Sequence, residues 1–302
     1  MVLISGASGF VGSNLSSHLA KNQLNVKEIN LRDPLWRDSM DLSASVIIHL
    51  AGKAQDDTDD SKLENFLSVN RDLTMQLFEK FLTSAINDFF FISSIKVVGD
   101  CGDEIITEQS RANPTGPYGK SKWEAEKYLL SQKIPPNKRL FIIRPCLIHG
   151  PGNEGNLQLL FKFVKSGVPW PLGSFDNKRS FLSIGNFNYL ILKMIQDNKI
   201  ASGVYNFSDD VPLSVNQVIC LIADELGKKT KIWKLNKKLL QILAKFGSIL
   251  SLPINSAKLE KLTTSSMISN QKIKQNLGIE HLPFTPETGL RHTISYFKNK
   301  HS

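Results

Sequence analysis

Residues 2–12 read VLISGASGFVG and decide the fold, because a β-rich run passes straight into a glycine turn from which a helix begins. The glycines recur at every third position, which gives GxxGxxG in place of the simpler GxGxxG pattern. Such a turn lets backbone N–H groups approach a pyrophosphate group at the positive end of the helix. It therefore predicts a dinucleotide site, with an ordinary strand–helix turn as the alternative. The residues expected at the cofactor are Gly6, Ser8, Gly9, Phe10, Val11 and Gly12.

The first half of the chain alternates short β-rich runs with helical patterns. Runs that are apolar throughout, such as residues 46–48 and 89–92, are typical of strands buried on both faces of a sheet. The alternation predicts an α/β fold built on a doubly wound parallel sheet. The expected strands are residues 2–5, 26–31, 46–50, 89–93 and 140–144, and the expected helices lie near residues 11–21, 62–83 and 118–131.

A cluster of turn-forming residues at 150–153, GPGN, marks the predicted boundary between two parts of the chain. Residues 1–150 are expected to form the nucleotide-binding domain, and residues 151–302 mainly a smaller α+β substrate lobe. A segment near residues 181–207, with a β-rich run at 203–207, is expected to rejoin the first domain. The two parts would then be interleaved.

Composition limits which partners and which cellular compartment we expect for this protein. The 302 residues carry a net charge of +9, which favours an anionic partner, but most basic residues are scattered, so we expect no nucleic-acid partner. Three widely separated cysteines, Cys101, Cys146 and Cys220, predict neither disulfides nor a metal site, and indicate a reducing compartment. No signal-peptide pattern and no apolar run of about eighteen residues is found, so we expect a cytoplasmic protein without a transmembrane segment.

Position 30 bears on the choice between NAD and NADP. In dinucleotide folds an acidic residue about 20 positions beyond the glycine turn holds the adenosine ribose. Here Asn30 stands at that place, and Arg32 follows two residues later. An uncharged amide with a nearby arginine accommodates a 2′-phosphate better than a carboxylate does. The pair favours NADP(H), although Asn30 can equally bind an unphosphorylated ribose while Arg32 faces solvent.

The sequence PYGKSK at residues 117–122 opens a helical pattern and places Tyr118 and Lys122 one turn apart on one helix face. A free tyrosine, with a pKa of about 10, is a poor base at neutral pH. A nearby ammonium and a positively charged nicotinamide both favour the phenolate, so we expect the pKa of Tyr118 to be lowered. Lys122 can also bind the nicotinamide ribose. The pair predicts a proton-transfer site, with an ordinary surface pair as the alternative.

Two serines, Ser93 and Ser94, follow the apolar run at residues 89–92. A hydroxyl at the carboxyl end of this strand would lie in the crevice where parallel sheets bind ligands. There it could hold the substrate oxygen that is oxidised. Ser94 is the better candidate, since Ser93 is more readily explained as a strand-end cap.

Five stretches, taken in order, closely resemble the extended short-chain dehydrogenase/reductase family. They are ISGASGFVG at 4–12, HLAG at 49–52, FISSIKVVG at 91–99, YGKSK at 118–122 and RPCLIHGPGN at 144–153. The likeness is greatest to the nucleotide-sugar 4-epimerases and 4-keto-reductases of that family. It implies a Rossmann-type fold, NAD(P)(H) as cofactor, and a catalytic trio of Ser94, Tyr118 and Lys122.

The same resemblance implies further site residues. Ala51, Gly52 and Asn70 would contact or support the cofactor. The residues that would contact the substrate are Ser93, Lys96, Asn156 and Arg179. An arginine suits a diphosphate because guanidinium binds phosphate bidentately; a surface arginine is the alternative. The implied substrate is a nucleotide-diphosphate sugar with UDP as the nucleotide, and members of the family often form homodimers.

Two absences narrow the reaction that the resemblance implies. Dehydratases of the family carry an acid–base pair directly after the active-site hydroxyl, and 3,5-epimerase-reductases carry a cysteine there, whereas Ser94 is followed by Ile95 and Lys96. A 4-epimerase that transfers hydride reversibly at C4 of the sugar is the leading hypothesis. An NADPH-dependent 4-keto-sugar reductase, favoured by the uncharged position 30, is the alternative. A non-catalytic dinucleotide-binding sensor or scaffold is disfavoured, because the tyrosine and the lysine are both present.

Residues 237–246, KKLLQILAKF, carry apolar residues at helical spacing among lysines. Such periodicity indicates first a helix that packs its apolar face on the substrate lobe. A peripheral membrane contact is the less favoured alternative.

Overall fold

The computed structural model describes residues 1–54, 59, 62–99, 102–153, 155–242 and 256–300. In these ranges the strands are β1 (Val2–Ser5), β2 (Val26–Ile29), β3 (Val46–His49), β4 (Asp88–Ile92), β5 (Ile105–Ile106), β6 (Arg139–Pro145), β7 (Leu147–His149), β8 (Phe181–Ser183), β9 (Gly203–Phe207) and β10 (Met267–Ile268).

The helices of the same ranges are α1 (Phe10–Lys21), α2 (Trp36–Ser39), α3 (Leu63–Leu67), α4 (Leu73–Leu82), α5 (Gly116–Ser131), α6 (Asn156–Lys165), α7 (Ile184–Gln196), α8 (Val215–Glu225), α9 (Ser256–Thr263), α10 (Gln271–Leu277) and α11 (Pro286–Lys300). A π-helical turn at Ser68–Asp72 joins α3 to α4, and a 3-10 turn at Ile95–Val97 follows β4. Residues 237–242 are also helical.

The central sheet is parallel and runs in the order β2-β1-β3-β4-β6-β9. This order, with helices on both faces, confirms the predicted Rossmann-type α/β fold. The chain leaves β1 for β2 on one side and then crosses to β3 on the other. The carboxyl ends of β1 and β3 therefore flank a crevice, the usual ligand site of such sheets.

Side chains that alternate along the inner strands explain the two helical layers. Ile48 and Phe90 belong to the core formed with α1 and α7. Ile47 and Phe89, their neighbours along the same strands, belong to the core formed with α4 and α5. All four side chains are fully buried. Burial of each such side chain contributes about 1.5–3 kcal/mol to folding, so folding strongly favours placing these runs at the centre of the sheet.

The strand boundaries differ from the predicted ones by one or two residues. β2 ends at Ile29 instead of residue 31, because Asn30 starts a turn in which its carbonyl oxygen accepts the Asp33 N–H at 3.0 Å. The predicted helix at 62–83 is interrupted by the π-helical turn. Such turns are not visible in an apolar periodicity.

Beyond β6 the chain builds a further core from α6, α8 and α11, with Phe161, Ile222 and Phe297 buried at its centre. Short parallel ribbons pair β7 with β8 and β5 with β10. The chain then adds β9 to the central sheet beside β6. A division into two domains at residue 150 stays a prediction.

Within the described residues, no helix combines the length and the apolar character needed to cross a membrane. The predicted amphipathic stretch is helical over 237–242, and Leu240 packs there against the apolar cluster that contains Trp170. Residues 243–246 of that prediction lie outside the described residues, as does Cys101. Cys146 and Cys220 are free thiols.

Candidate functional site

Two of the three glycines in the turn after β1 are required by the turn itself. Gly6 has a φ of +75°, a left-handed conformation that residues with side chains rarely adopt. A Cβ atom added to Gly12 would lie 2.1 Å from the Gly6 carbonyl oxygen. Gly9 differs, because its φ of −74° suits any residue and the atom nearest to an added Cβ would be the Gly6 carbonyl oxygen at 3.5 Å. Glycine at position 9 therefore leaves room for a group from outside the chain.

The amino end of α1 opens onto the space above Gly9. No side chain caps this helix at Gly9, and its first turn contains no acidic residue. The first N–H groups of a helix carry partial positive charge and have no acceptor within the helix. The donors present thus fit a pyrophosphate group. Ser8 is exposed beside them, whereas Phe10 and Val11 are half-buried.

At the carboxyl end of β2, Asn30 and Arg32 form one turn. The Asn30 Oδ1 atom accepts a hydrogen bond from the Arg32 backbone N–H at 3.2 Å. Asn30 is exposed, and Arg32 is exposed as well. This edge of the crevice therefore carries an amide and a guanidinium. A carboxylate in the same place would repel a phosphate group.

Asn70 connects the loop after β3 to α5. Its Oδ1 accepts the Lys53 N–H at 2.8 Å, and its Nδ2 donates to the Lys53 carbonyl oxygen at 3.0 Å and to Ser121 Oγ at 2.9 Å. Asn70 is fully buried in the π-helical turn, a distortion that is frequent at functional sites. A Cβ atom on Gly52 would lie 2.9 Å from Asn70 Oδ1 and 3.3 Å from Lys122 Nζ. Gly52 thus permits the close approach of these two polar groups.

A chain of hydrogen bonds runs from the HLAG segment to Asn70. Ser5 Oγ lies 2.6 Å from His49 Nδ1, and His49 Nε2 lies 2.9 Å from Thr74 Oγ1. The Thr74 hydroxyl donates its single proton to the Asn70 carbonyl oxygen at 2.7 Å, so His49 Nε2 must carry the proton shared with Thr74. His49 Nδ1 then accepts the Ser5 proton, and Ser5 Oγ accepts the Ala51 N–H at 3.3 Å. The ring is therefore held as its neutral Nε2–H tautomer.

His49 is a site residue that the sequence prediction does not include. Burial, assisted by the charge of Lys122, lowers the pKa of His49 to about 3, so the ring stays neutral at physiological pH. The available signal is a histidine at the end of an otherwise apolar strand, VIIH. A buried polar residue in such a place needs partners on both sides, which this ring has.

Tyr118 lies half-buried in the first turn of α5. Burial raises the pKa of Tyr118, and the neighbouring Ser94 side chain offsets part of that rise. The expectation of a lowered pKa is therefore wrong for the chain alone. Desolvation opposes the phenolate, and Ser94, not Lys122, is the residue that favours it.

Lys122, one helical turn beyond Tyr118, is only 3% exposed. Its Nζ donates to the Ile92 carbonyl oxygen at 2.8 Å and lies 4.7 Å from the centroid of the Phe91 ring. Burial lowers the pKa of Lys122 to about 8, and the charge of Glu126 opposes that shift. The ammonium is thus fixed at the carboxyl end of β4.

Ser93 has a structural partner. Its hydroxyl donates to the Glu126 carboxylate, which also forms a buried ion pair with Arg144 at 2.5 Å. The single proton of the Ser93 hydroxyl is therefore already used in a hydrogen bond within the protein. A strand-end role accounts for this bond, and substrate contact by Ser93 stays a prediction.

The other predicted substrate residues are spread over two parts of the chain. Lys96 is half-buried in the 3-10 turn, where its backbone N–H donates to Ser94 Oγ at 3.2 Å. Asn156 is the exposed first residue of α6, and Arg179 is half-buried in a β-bridge with Leu213. Substrate contact by these residues stays a prediction. The predicted residues that the structure brings together are Gly52, Asn70, Ser94, Tyr118 and Lys122.

The chemistry that the site can perform follows from its polar groups. Over the described ranges, no group of three or more His, Cys, Asp or Glu side chains could hold a metal ion. The arrangement offers one phenol from Tyr118, one hydroxyl from Ser94 and one ammonium from Lys122. Those groups are suited to moving a proton to and from an alcohol.

Comparisons with known proteins place this chain in a family. The family model described as NAD dependent epimerase/dehydratase family matches residues 2–207. The chain is 32% identical to UDP-glucose 4-epimerase of Vibrio cholerae, over 98% of this chain and 95% of that protein. It is 27% identical to N-acetyl-alpha-D-glucosaminyl-diphospho-ditrans,octacis-undecaprenol 4-epimerase of Escherichia coli O157:H7, over 98% of this chain and 94% of that protein.

Among solved structures, the fold is similar to that of MoeE5 in complex with UDP-glucose and NAD. The TM-score is 0.76, and the match covers 100% of this chain and 99% of the other. Only 21% of the residues are identical, so this likeness bears on the fold alone. It extends through both the sheet and the lobe beyond β6.

Proposed function

Because the chain belongs to the NAD dependent epimerase/dehydratase family, we propose that it is a nucleotide-sugar 4-epimerase that acts on a UDP-sugar. Membership confirms the resemblance to extended short-chain dehydrogenases/reductases, and with it an NAD(P)-dependent enzyme. The observation that carries the proposal is the grouping of Ser94 and Tyr118 with the buried Lys122, which lies one helical turn beyond Tyr118 and is held at the carboxyl end of β4. The full-length similarity to a UDP-glucose 4-epimerase supports the substrate class.

The crevice at β1 and β3 would hold the dinucleotide, which when bound supplies a hydride acceptor and donor for the sugar carbon. The N–H groups at the start of α1 bind the pyrophosphate beside Gly9. Lys122 binds ribose hydroxyls beside Gly52, where the absence of a side chain gives access to its ammonium. Asn70 holds the loop that contains Gly52 in place.

Tyr118 is the proton-transfer residue in this proposal. As the phenolate, its oxygen takes the proton of the sugar 4-hydroxyl and, as the phenol so formed, returns it to the reduced sugar oxygen, while Ser94 orients the reacting oxygen. Burial by itself raises the pKa of Tyr118, so the neighbouring Ser94 side chain is the chain's own means of favouring the phenolate. Lys122 serves the cofactor ribose in this proposal, one helical turn beyond Tyr118.

The residue after Ser94 supports epimerisation over dehydration. Ile95 is 9% exposed and packs in the apolar core, and it has no group that could remove a proton or protonate a leaving hydroxyl. The hydroxyl and the phenol at this position therefore serve oxidation and reduction at one carbon. A 4-keto sugar would then be reduced on its other face.

In the lobe beyond β6, Asn156 and Arg179 are proposed to bind the diphosphate of the substrate. Asn156 opens α6, where N–H groups favour an anion, and Arg179 brings a guanidinium. The alternative, an NADPH-dependent 4-keto-sugar reductase, is favoured by the Asn30–Arg32 turn, which suits a 2′-phosphate. We keep NADP(H) as the favoured cofactor on the same ground.

Turnover tests distinguish these proposals. The purified protein is incubated with UDP-glucose or UDP-N-acetylglucosamine, with and without NAD(P)+, and the C4 epimers are separated by chromatography. Formation of the epimer without consumption of a reductant supports the epimerase. Reduction of a UDP-4-keto sugar with one equivalent of NADPH per product would establish the reductase instead. Dinucleotide binding without either reaction would leave only the sensor or scaffold.

A matched pair of variants tests the role of Tyr118. Tyr118→Phe removes the phenolic hydroxyl and is expected to lower kcat at least about 100-fold, because general acid–base groups contribute roughly 100- to 10000-fold. Tyr128→Phe, on the same helix, removes a hydroxyl that bonds Glu79 at 3.3 Å and is expected to leave kcat unchanged. Equal activity of the two variants would refute the assignment.

A further inference from the structure

A short segment carries most of the excess positive charge of the chain. Residues 226–242 contain six lysines and no acidic residue, whereas the chain as a whole has a net charge of +9. The two acidic residues just before the segment, Asp224 and Glu225, are each paired with Arg291 at 2.7 Å. All six lysines are exposed. They define the lysine-rich surface, which consists of Lys228, Lys229, Lys231, Lys234, Lys237 and Lys238.

The backbone of the lysine-rich surface is anchored to the lobe beyond β6. The Trp233 N–H donates to the Trp170 carbonyl oxygen at 2.8 Å. Residues 237–242 continue as a helix. Ile232 and Leu240 pack against the apolar cluster that contains Trp170, so these two side chains hold the segment on the lobe.

Large apolar side chains nevertheless stand outward among the lysines. Trp233, Leu239 and Ile242 are 56%, 50% and 51% exposed. Leu239 and Ile242 are three residues apart on the helix, so they share one face. Val168, 54% exposed, lines an adjoining pocket of about 320 Å³ that three of the lysines also line. Exposed apolar and cationic side chains are therefore intermixed along this segment.

We propose that the lysine-rich surface docks the protein on a membrane that contains anionic phospholipids. Lysines on such a surface attract acidic headgroups, while exposed Trp, Leu and Ile side chains enter the boundary between headgroups and acyl chains. Nucleic acid would also attract the lysines, but it offers no apolar layer for Leu239 and Ile242. The proposal is independent of the nucleotide-sugar reaction, because none of these residues belongs to the crevice at β1 and β3.

Vesicle sedimentation of the full chain tests the proposal. The protein is expected to sediment with vesicles of phosphatidylglycerol and phosphatidylcholine, and to stay in solution with phosphatidylcholine alone. Each lysine at an anionic surface strengthens binding roughly five-fold, so Lys229→Glu/Lys234→Glu should weaken it at least about 25-fold. The matched control, Lys133→Glu/Lys199→Glu, makes the same change of net charge at exposed positions before β6 and β9 and should bind as the unaltered protein does.

Tryptophan fluorescence supplies a second, local measurement. Of the four tryptophans, Trp36 and Trp170 are buried, Trp123 is half-buried and Trp233 is exposed. Anionic vesicles should therefore shift the emission to shorter wavelength in the unaltered protein and leave Trp233→Phe unshifted. No sedimentation with the anionic vesicles would overturn the proposal, as would equal losses in the two double variants. Binding to a DNA duplex that Leu239→Ser/Ile242→Ser leaves unchanged, without vesicle binding, would assign the surface to nucleic acid instead.

Discussion

His49 Nδ1 lies 2.6 Å from Ser5 Oγ and so joins the last residue of β3 to the last residue of β1. Ser5 directly precedes the glycine turn, and His49 begins the run that leads to Gly52. The bond fixes these two strand ends relative to each other at the edge of the crevice. Through Thr74, the same ring is linked to the buried Asn70.

Replacement of His49 should reveal how much this link contributes to the free energy of unfolding. His49→Leu leaves the Ser5 proton without an acceptor, and an unsatisfied buried polar group costs about 1–3 kcal/mol. We expect the free energy of unfolding, measured in urea, to fall by about 2–4 kcal/mol once the poorer packing is included. His49→Gln retains an acceptor and a donor and should lose less. Equal losses in the two variants would show that ring packing, not hydrogen bonding, matters at this position.

Two glycines of one turn should respond differently to an added side chain. Gly9→Val is expected to weaken binding of the dinucleotide at least about tenfold, roughly 1.4 kcal/mol, because its side chain fills the space above α1. It should leave the unfolding midpoint close to that of the unaltered protein, since the nearest atom to an added Cβ lies at 3.5 Å. Gly12→Ala, whose Cβ would lie 2.1 Å from the Gly6 carbonyl oxygen, should destabilise the fold itself. Unchanged cofactor affinity in Gly9→Val, measured by calorimetry, would refute the phosphate site.

The buried Lys122 should make stability depend on pH in a defined direction. Burial lowers its pKa from 10.5 to about 8, so the unfolded chain holds this proton more tightly than the folded protein. Below pH 8 the residue is charged in both states and the cost of burying the charge is fully present. Between pH 8 and 10.5 the folded protein releases the proton first, and the cost declines as pH rises.

Lys122→Met removes that buried charge. The variant is expected to be inactive and yet to unfold with a free energy about 1–3 kcal/mol higher at pH 7, after allowance for the lost bond to Ile92. This gain should shrink as the pH is raised from 8 towards 10.5. Denaturant titrations at several pH values measure it. A difference between the two proteins that is constant over this range would contradict the assigned pKa.

Removal of only one partner of the buried ion pair between Glu126 and Arg144 should destabilise the fold, whereas removal of both partners should not. Arg144→Met leaves a carboxylate that is 0% exposed without its counter-charge, which typically costs about 3–5 kcal/mol. The double variant Glu126→Leu/Arg144→Met removes both charges and should recover most of the loss in thermal or urea unfolding. A double variant as unstable as the single one would indicate that Ser93 and the local packing need the carboxylate.

The parts of the fold that are predictable from sequence depend on local patterns. The glycine turn predicts both β1 and α1, and the apolar runs around Ile48 and Phe90 predict inner strands, because each pattern is written in consecutive residues. The four-residue spacing of Tyr118 and Lys122 likewise places both residues on one helix face. Their position near Ser94 follows from the strand order of a parallel sheet.

The parts that escape prediction depend on partners far apart in sequence. His49 meets Ser5 from 44 residues away, and Ser93 meets Glu126 from 33 residues away. No periodicity of apolar residues indicates such a long-range side-chain contact. The direction of the Tyr118 pKa shift is hidden for the same reason, since desolvation reflects how tightly the whole site packs. Ser and His side chains at strand ends are the places where such distant partners should be sought.

The position of β9 has a consequence for biosynthesis. This strand completes the nucleotide-binding sheet by pairing with β6, yet it is translated only after β7, α6, β8 and α7. A nascent chain whose β6 has left the ribosome before β9 has been made thus presents the unpaired backbone edge of β6, which could pair with a neighbouring nascent chain on the same messenger. The six-stranded sheet is therefore complete only after about two thirds of the chain has been translated.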